Sequence, residues 1–146
     1  MPNIQSISLV SASSRYGTVP DSASLSITGD LTIEAWVKLT TLPSQAGNPF
    51  GIASKKIDAE RSYSFEVESS GDKVLFNVSD NGAGGTSRLS NTSLVVGTWN
   101  YIAAVYTASA GQCIFYLNGT SDGTQTGFPT SIHNNTSKLL VGALNL

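Results

Sequence analysis

Leu31-Thr-Ile-Glu-Ala-Trp-Val-Lys-Leu39 decides the fold class. Leu31, Ile33, Ala35, Val37 and Leu39 fall on one side of an extended chain, and Thr32, Glu34, Trp36 and Lys38 fall on the other. Side chains alternate across a strand with period two, whereas an amphipathic helix needs apolar residues three and four apart. The stretch is therefore a β-strand with one face in a core. Working outward, residues 62–68 repeat the pattern, with Tyr63, Phe65 and Val67 inward and Ser62, Ser64, Glu66 and Glu68 outward. Residues 73–79 bury Val74, Phe76 and Val78 after Ser69-Ser-Gly-Asp72, a connection of hairpin length. Residues 99–107 are apolar on both faces, which predicts a central strand covered on both sides, with Trp99 buried at its start. Residues 112–117 follow Ala108-Ser-Ala-Gly111, and Asn118-Gly119 marks a tight turn. Residues 138–142 form the last strand, and residues 4–10 and 16–19 open the chain. Longer loops are expected at 40–51, 80–86 and 121–137. Nine or so short strands with frequent turn residues predict an all-β, two-sheet antiparallel jelly-roll sandwich, one domain spanning residues 1–146.

Composition narrows the function. Charged residues are only 12% of the chain, well under the usual quarter, and 22 Ser and 14 Thr take their place. The net charge of −2 and the lack of a basic stripe give nucleic-acid binding no electrostatic support. One cysteine, Cys113, excludes an intrachain disulfide framework and reads as a small buried hydrophobe on its strand. No apolar run is long enough to span a membrane as a helix, and the N-terminus lacks the charged and apolar segments of a signal peptide.

Four blocks, in order, carry a family resemblance. Residues 19–38 (VPDSASLSITGDLTIEAWVK), 94–106 (LVVGTWNYIAAVY), 114–119 (IFYLNG) and 139–143 (LLVGA) resemble laminin G-like domains of bacterial and viral type. These domains are related to pentraxins and to concanavalin A-like lectins and glucanases. The resemblance implies the same jelly roll. It departs from the family at Asn100 and Tyr101, where His is usual, and at the end of the chain, where a closing strand carrying acidic residues follows in relatives. The resemblance implies a calcium site at the turn of Gly29 and Asp30, with Asp21 as a further carboxylate. The alternative for Asp30 is a turn-forming role in which it accepts from nearby backbone N–H groups. The short ending implies that residues 4–10 lose a neighbour. Either another chain then fills the gap by strand addition or swapping, or Asn145-Leu146 and the opening strand rearrange to cover it.

Other residues carry chemistry by type. Trp36 lies on the polar face of its strand and could stack on a sugar, though large aromatics are usually buried, and burial under a crossing loop is the expectation. Asp80, Asn81 and Arg88, together with Asn134 and Asn135 from the 121–137 loop, form a candidate ligand surface rich in hydrogen-bonding groups. Glu66 and Glu68 project from one face as a carboxylate pair, the arrangement of a glycosidase, but no third acid completes the set and solvated glutamates are expected. His133 stands without a second metal-binding neighbour in sequence. The leading expectation is a non-catalytic structural or assembly module of a virion, fibre or cell-surface complex that contacts protein. The alternative is a lectin-like carbohydrate-binding module that uses calcium, and a glycoside hydrolase comes third. All three place the domain outside the cell, on a cell surface or on a virion.

Overall fold

The computed structural model describes residues 5–9, 15–57 and 60–144. Its strands are β1 (Gly17–Val19), β2 (Leu31–Lys38), β3 (Phe50–Ile57), β4 (Glu60–Val67), β5 (Lys73–Val78), β6 (Thr86–Ser93), β7 (Trp99–Thr107), β8 (Gln112–Leu117), β9 (Thr120–Thr126) and β10 (Leu139–Val141). They form a six-stranded sheet in the order β1-β10-β3-β4-β5-β6 and a four-stranded sheet in the order β2-β7-β8-β9. Every neighbouring pair is antiparallel. The chain is an all-β jelly-roll sandwich, as its alternating apolar residues require.

The core lies between the sheets. Phe65, Val67, Phe76 and Val78 come from the six-stranded sheet and Ile102, Ala104, Tyr106 and Phe115 from the other, all essentially out of contact with water. Phe76, Tyr106 and Phe128 meet as three rings with centroids 5.8–5.9 Å apart. Such tilted and edge-on pairs add roughly 0.5–1.5 kcal/mol each beyond the area they bury. Tyr106 still satisfies its hydroxyl by donating to the Pro129 carbonyl at 2.6 Å.

Several expectations need correction. Gln5–Leu9 of the expected opening strand adopts no strand, and Ile4 and Val10 lie outside the described residues. β1 instead pairs with β10, Gly17 opposite Val141 and Val19 opposite Leu139. The segment before β1 packs differently: a side chain added at Gly142 would collide with Leu9. Three strands were hidden in stretches read as loops or left unread. β6 and β9 are hydroxyl-rich and polar, so they show no apolar alternation. Side-chain bonds hold them together, with Thr92 N and Oγ1 donating to Asp122 at 3.0 and 2.6 Å. β3 carries register shifts between Gly51 and Ala53 and between Lys55 and Lys56, which break its period. The Asn118-Gly119 turn is as expected: φ of 52° and 82° at the two residues give the two-residue hairpin its twist between β8 and β9.

At the end of the described chain, Ala143 and Leu144 run across β3 without forming a strand. Ser54 Oγ donates to the Leu144 carbonyl at 2.8 Å. A Cβ at Gly51 would lie 2.5 Å from the Ala143 carbonyl carbon, so glycine is what allows the backbones this close. Asn145 and Leu146, expected to cover a gap, lie outside the described residues. Among the described residues the outermost strands are β1 and β6 in one sheet and β2 and β9 in the other.

Candidate functional site

The four-stranded sheet turns one face to the core and the other to solvent. β2 pairs with β7 so that Thr32 lies opposite Val105, Glu34 opposite Ala103, Trp36 opposite Tyr101 and Lys38 opposite Trp99. β7 pairs with β8 so that Ala103 lies opposite Tyr116 and Val105 opposite Ile114. Register alone therefore gathers two tryptophans, two tyrosines and small apolar residues on the outer face. The expected cover is missing: Trp36 is 65% exposed and Trp99 47% exposed. The doubly apolar pattern of β7 has a different cause from two-sided burial. Its inner half makes the core, and its outer half makes an open aromatic surface.

This surface has built-in order. The Trp36 and Tyr101 rings sit 5.5 Å apart and are tilted by 51°, so they form a bent platform, not a flat one. Tyr101 Oη donates to Glu34 Oε2 at 2.5 Å, which ties β7 to β2 above the sheet. That bond holds the Tyr101 phenol above its usual value, with desolvation and the Glu34 charge adding to the rise. Asn118 fixes the start of β7, accepting from Tyr101 N at 2.9 Å while its own N donates to the Tyr101 carbonyl at 2.8 Å. Beside the rings lies a shallow depression of about 310 Å³ lined by Thr32, Glu34, Tyr101, Ala103, Val105, Tyr116 and Gly119. An apolar floor with convergent hydroxyls and one carboxylate suits a polyhydroxylated ligand with an apolar face.

The other sequence-predicted residues are engaged elsewhere. Lys55 is fully buried, and its Nζ lies 2.7 Å from Asp21 Oδ1, 2.7 Å from the Asn135 carbonyl, 3.2 Å from Asn135 Oδ1 and 2.9 Å from the Ser137 carbonyl. Asn135 Nδ2 in turn donates to the Glu60 carbonyl at 2.6 Å. Asp21 and Asn135 thus belong to a cage for an internal ammonium. Asp30 Oδ1 accepts from Ala108 N at 2.8 Å, a bond to the chain just after β7 and not one within its own turn. Gly29, half-buried beside it, brings no further carboxylate. Among the described residues no three His, Cys, Asp or Glu side chains gather where they could hold a metal ion. Asp21 and Asp30 therefore sit on separate partners and do not assemble a donor set for calcium.

Asn81 Oδ1 accepts from Ala83 N and Gly84 N within its own turn, at 2.9 and 3.3 Å. The neighbouring Asp80 and Asn134 are exposed. Arg88 is drawn away from them: its Nε donates to the Thr126 carbonyl at 3.1 Å and its guanidinium carbon lies 5.9 Å from the Phe128 ring centre. His133 Nε2 lies 3.1 Å from Glu60 Oε2. The two glutamates are each engaged by a serine of their own. Both are buried, contrary to the expectation of solvated side chains: Glu66 accepts from Ser64 Oγ at 3.2 Å, and Glu68 accepts from Ser70 N and Oγ at 2.6 and 2.5 Å. Sequence reasoning weighed Trp36 but missed Trp99, Tyr101, Tyr116 and Glu34. The available signal was the period-two phase itself, which puts Glu34 with Trp36 and Trp99 with Tyr101 on the faces opposite the core.

Comparison with known proteins fixes the family. A family model described as the concanavalin A-like lectin/glucanases superfamily, of laminin G type, matches residues 11–145. The chain belongs to this family. A search of curated protein sequences returns no match. Among solved structures, this laminin G-like domain is similar to the binding domain of Paraclostridial mosquitocidal protein 1, with a TM-score of 0.65 and 13% identity over 86% of this chain and 32% of that one. It is similar to the heptameric SAP-like pentraxin of Limulus polyphemus, with a TM-score of 0.58 and 15% identity over 85% and 54%. It is also similar to the CBM40 of Ruminococcus gnavus IT-sialidase, solved with α2,3-sialyllactose, with a TM-score of 0.54 and 11% identity over 80% and 64%. The laminin G-like domain thus spans 32% to 64% of these three chains. At these identities the likeness is one of fold.

Proposed function

We propose that this laminin G-like domain is a non-catalytic carbohydrate-binding module, and that the outer face of the four-stranded sheet is its binding surface. The observation that carries the reading is the exposed Trp36 ring braced by Tyr101. A large exposed aromatic surface on a rigid sheet marks a place where something binds, and aromatic faces stack on the apolar faces of sugars. The similar structures support the same reading over an assembly role: they include toxin binding domains and a CBM40 bound to sialyllactose. Glu66 and Glu68 are both buried and hydrogen-bonded to serines, which supports a non-catalytic role. The domain would meet its glycans outside the cell, on a cell surface or on a virion. No helix among the described residues is long and apolar enough to cross a membrane.

The test is a glycan array followed by titration calorimetry on the wild type and Trp36→Ala. Trp36 is exposed, so its truncation should leave the circular dichroism spectrum and melting temperature nearly unchanged. Affinity should fall by about tenfold or more, the loss expected of a central aromatic contact. Binding in chelator should equal binding in calcium, because Asp21 and Asp30 are already engaged. Wild-type-like binding by the variant, or no glycan binding at all, would remove the reading.

A further inference from the structure

We infer that this face selects uncharged sugars and that the Glu34 carboxylate is the residue that turns anionic sugars away; the inference rests on the glycan reading above. Glu34 is the one charged residue lining the depression beside Trp36 and Tyr101. Its Oε2 is engaged by the Tyr101 hydroxyl, and Oε1 has no hydrogen-bond partner among the described residues. An ionised carboxylate only accepts hydrogen bonds, and a sugar hydroxyl donates one readily. Such bonds are charge-assisted and stronger than neutral ones. The floor of Ala103 and Val105 offers nothing to a charged group.

A sialic acid, a uronic acid or a sulfated sugar would bring a second negative charge against Glu34, with no cation in the lining to offset it. The cation of the same face, Lys38, lies opposite Trp99 and beyond the Trp36 ring from Glu34, at the far end of the platform and outside the lining of the depression. Lys56 and Lys138 line a separate depression with Ile57 and Leu140, on the six-stranded sheet. Glu34 does two things at once: it orients Tyr101 and it sets the charge of the site.

The experiment uses a panel of neutral hexose oligosaccharides, each paired with its sialylated or sulfated counterpart, titrated into the wild type, Glu34→Gln and Trp36→Ala. Two like charges a few ångströms apart in a wet site separate the members of a pair by about fivefold or more, in favour of the neutral sugar. Raising the salt should narrow that ratio, because exposed charges are screened. Glu34→Gln keeps an acceptor oxygen and removes the charge, so the ratio should fall to within about twofold while neutral sugars still bind. A residue that merely braced Tyr101 would lower both affinities and leave the ratio alone. Equal wild-type affinity for both members of a pair, or a ratio unchanged in Glu34→Gln, overturns this inference and leaves the glycan reading standing. Binding of neither class, or binding indifferent to Trp36→Ala, overturns both.

Discussion

Replacing Lys55 with methionine is expected to unfold a junction that no surface view of the sequence suggests. The ammonium at the end of this fully buried side chain shares its three N–H groups among four oxygens from Asp21, Asn135 and Ser137. It thereby joins β3 to the segment after β1 and to the loop before β10. Methionine fills a similar volume but leaves a carboxylate and three other oxygens without their cation. Removing one partner of a buried ion pair costs about 3–5 kcal/mol, far more than a surface pair is worth. Asp21 is 28% exposed, so water can reach its carboxylate, and the lower end of that range applies. In a domain of this size, each kcal/mol moves the melting temperature by roughly 3 °C. Lys55→Met should therefore melt about 10 °C below the wild type and lose about 3 kcal/mol in urea titrations. Asp21→Asn, which keeps an acceptor and removes only the charge, should lose about 1 kcal/mol. A Lys55→Met protein within 1 kcal/mol of the wild type would refute the cage as a structural centre.

Two further predictions concern buried titratable groups. Burial holds the Glu66 carboxyl above its ordinary value of 4.5, against the opposing pull of Lys56 and Ser64 and with a small push from Glu68. The folded chain then keeps this proton to a higher pH than the unfolded chain. The group's contribution is favourable at low pH and is lost as pH rises from 4.5 through the raised folded value. Glu66→Gln should accordingly gain stability over the wild type at pH 7 but not at pH 3.5, read from urea midpoints; equal shifts at both pH values would contradict this. Burial also pushes the Cys113 thiol up to about 12. Iodoacetamide at pH 8 should label it only as fast as the protein unfolds, and labelling at the rate of a free thiol would show the core between the sheets to be open.

The parts of the fold that were legible in the sequence are those where one face of a strand is apolar. β2, β4, β5, β7 and β8 each bury a period-two set, and that set also fixes their phase. β6 and β9 were not legible because their order comes from partners distant in sequence, such as Asp122 for Thr92 and Thr126 for Arg88. Local composition says nothing of such bonds. Glu66 and Glu68 were misread for the same reason: a charged residue reads as exposed until the oxygens or neighbours around it are known. The outer aromatic face shows the opposite error. Trp36 and Trp99 are the residue type most expected to be hidden, and a rule about burial outweighed the phase of the strand. Reading the phase strictly would have placed both outside, together with Glu34 and Tyr101.

The most direct test of the central claim follows the two indole N–H signals by NMR while a bound glycan from the array is titrated in. The signals of Trp36 and Trp99 should shift progressively together with the backbone amides of Glu34, Tyr101 and Ala103, and the amides of Asn81, Arg88 and Asn134 should stay in place. Unmoved indole signals, with the shifts gathered instead at Asn81, Arg88 and Asn134, would contradict the aromatic face as the binding surface and return the site to the loops.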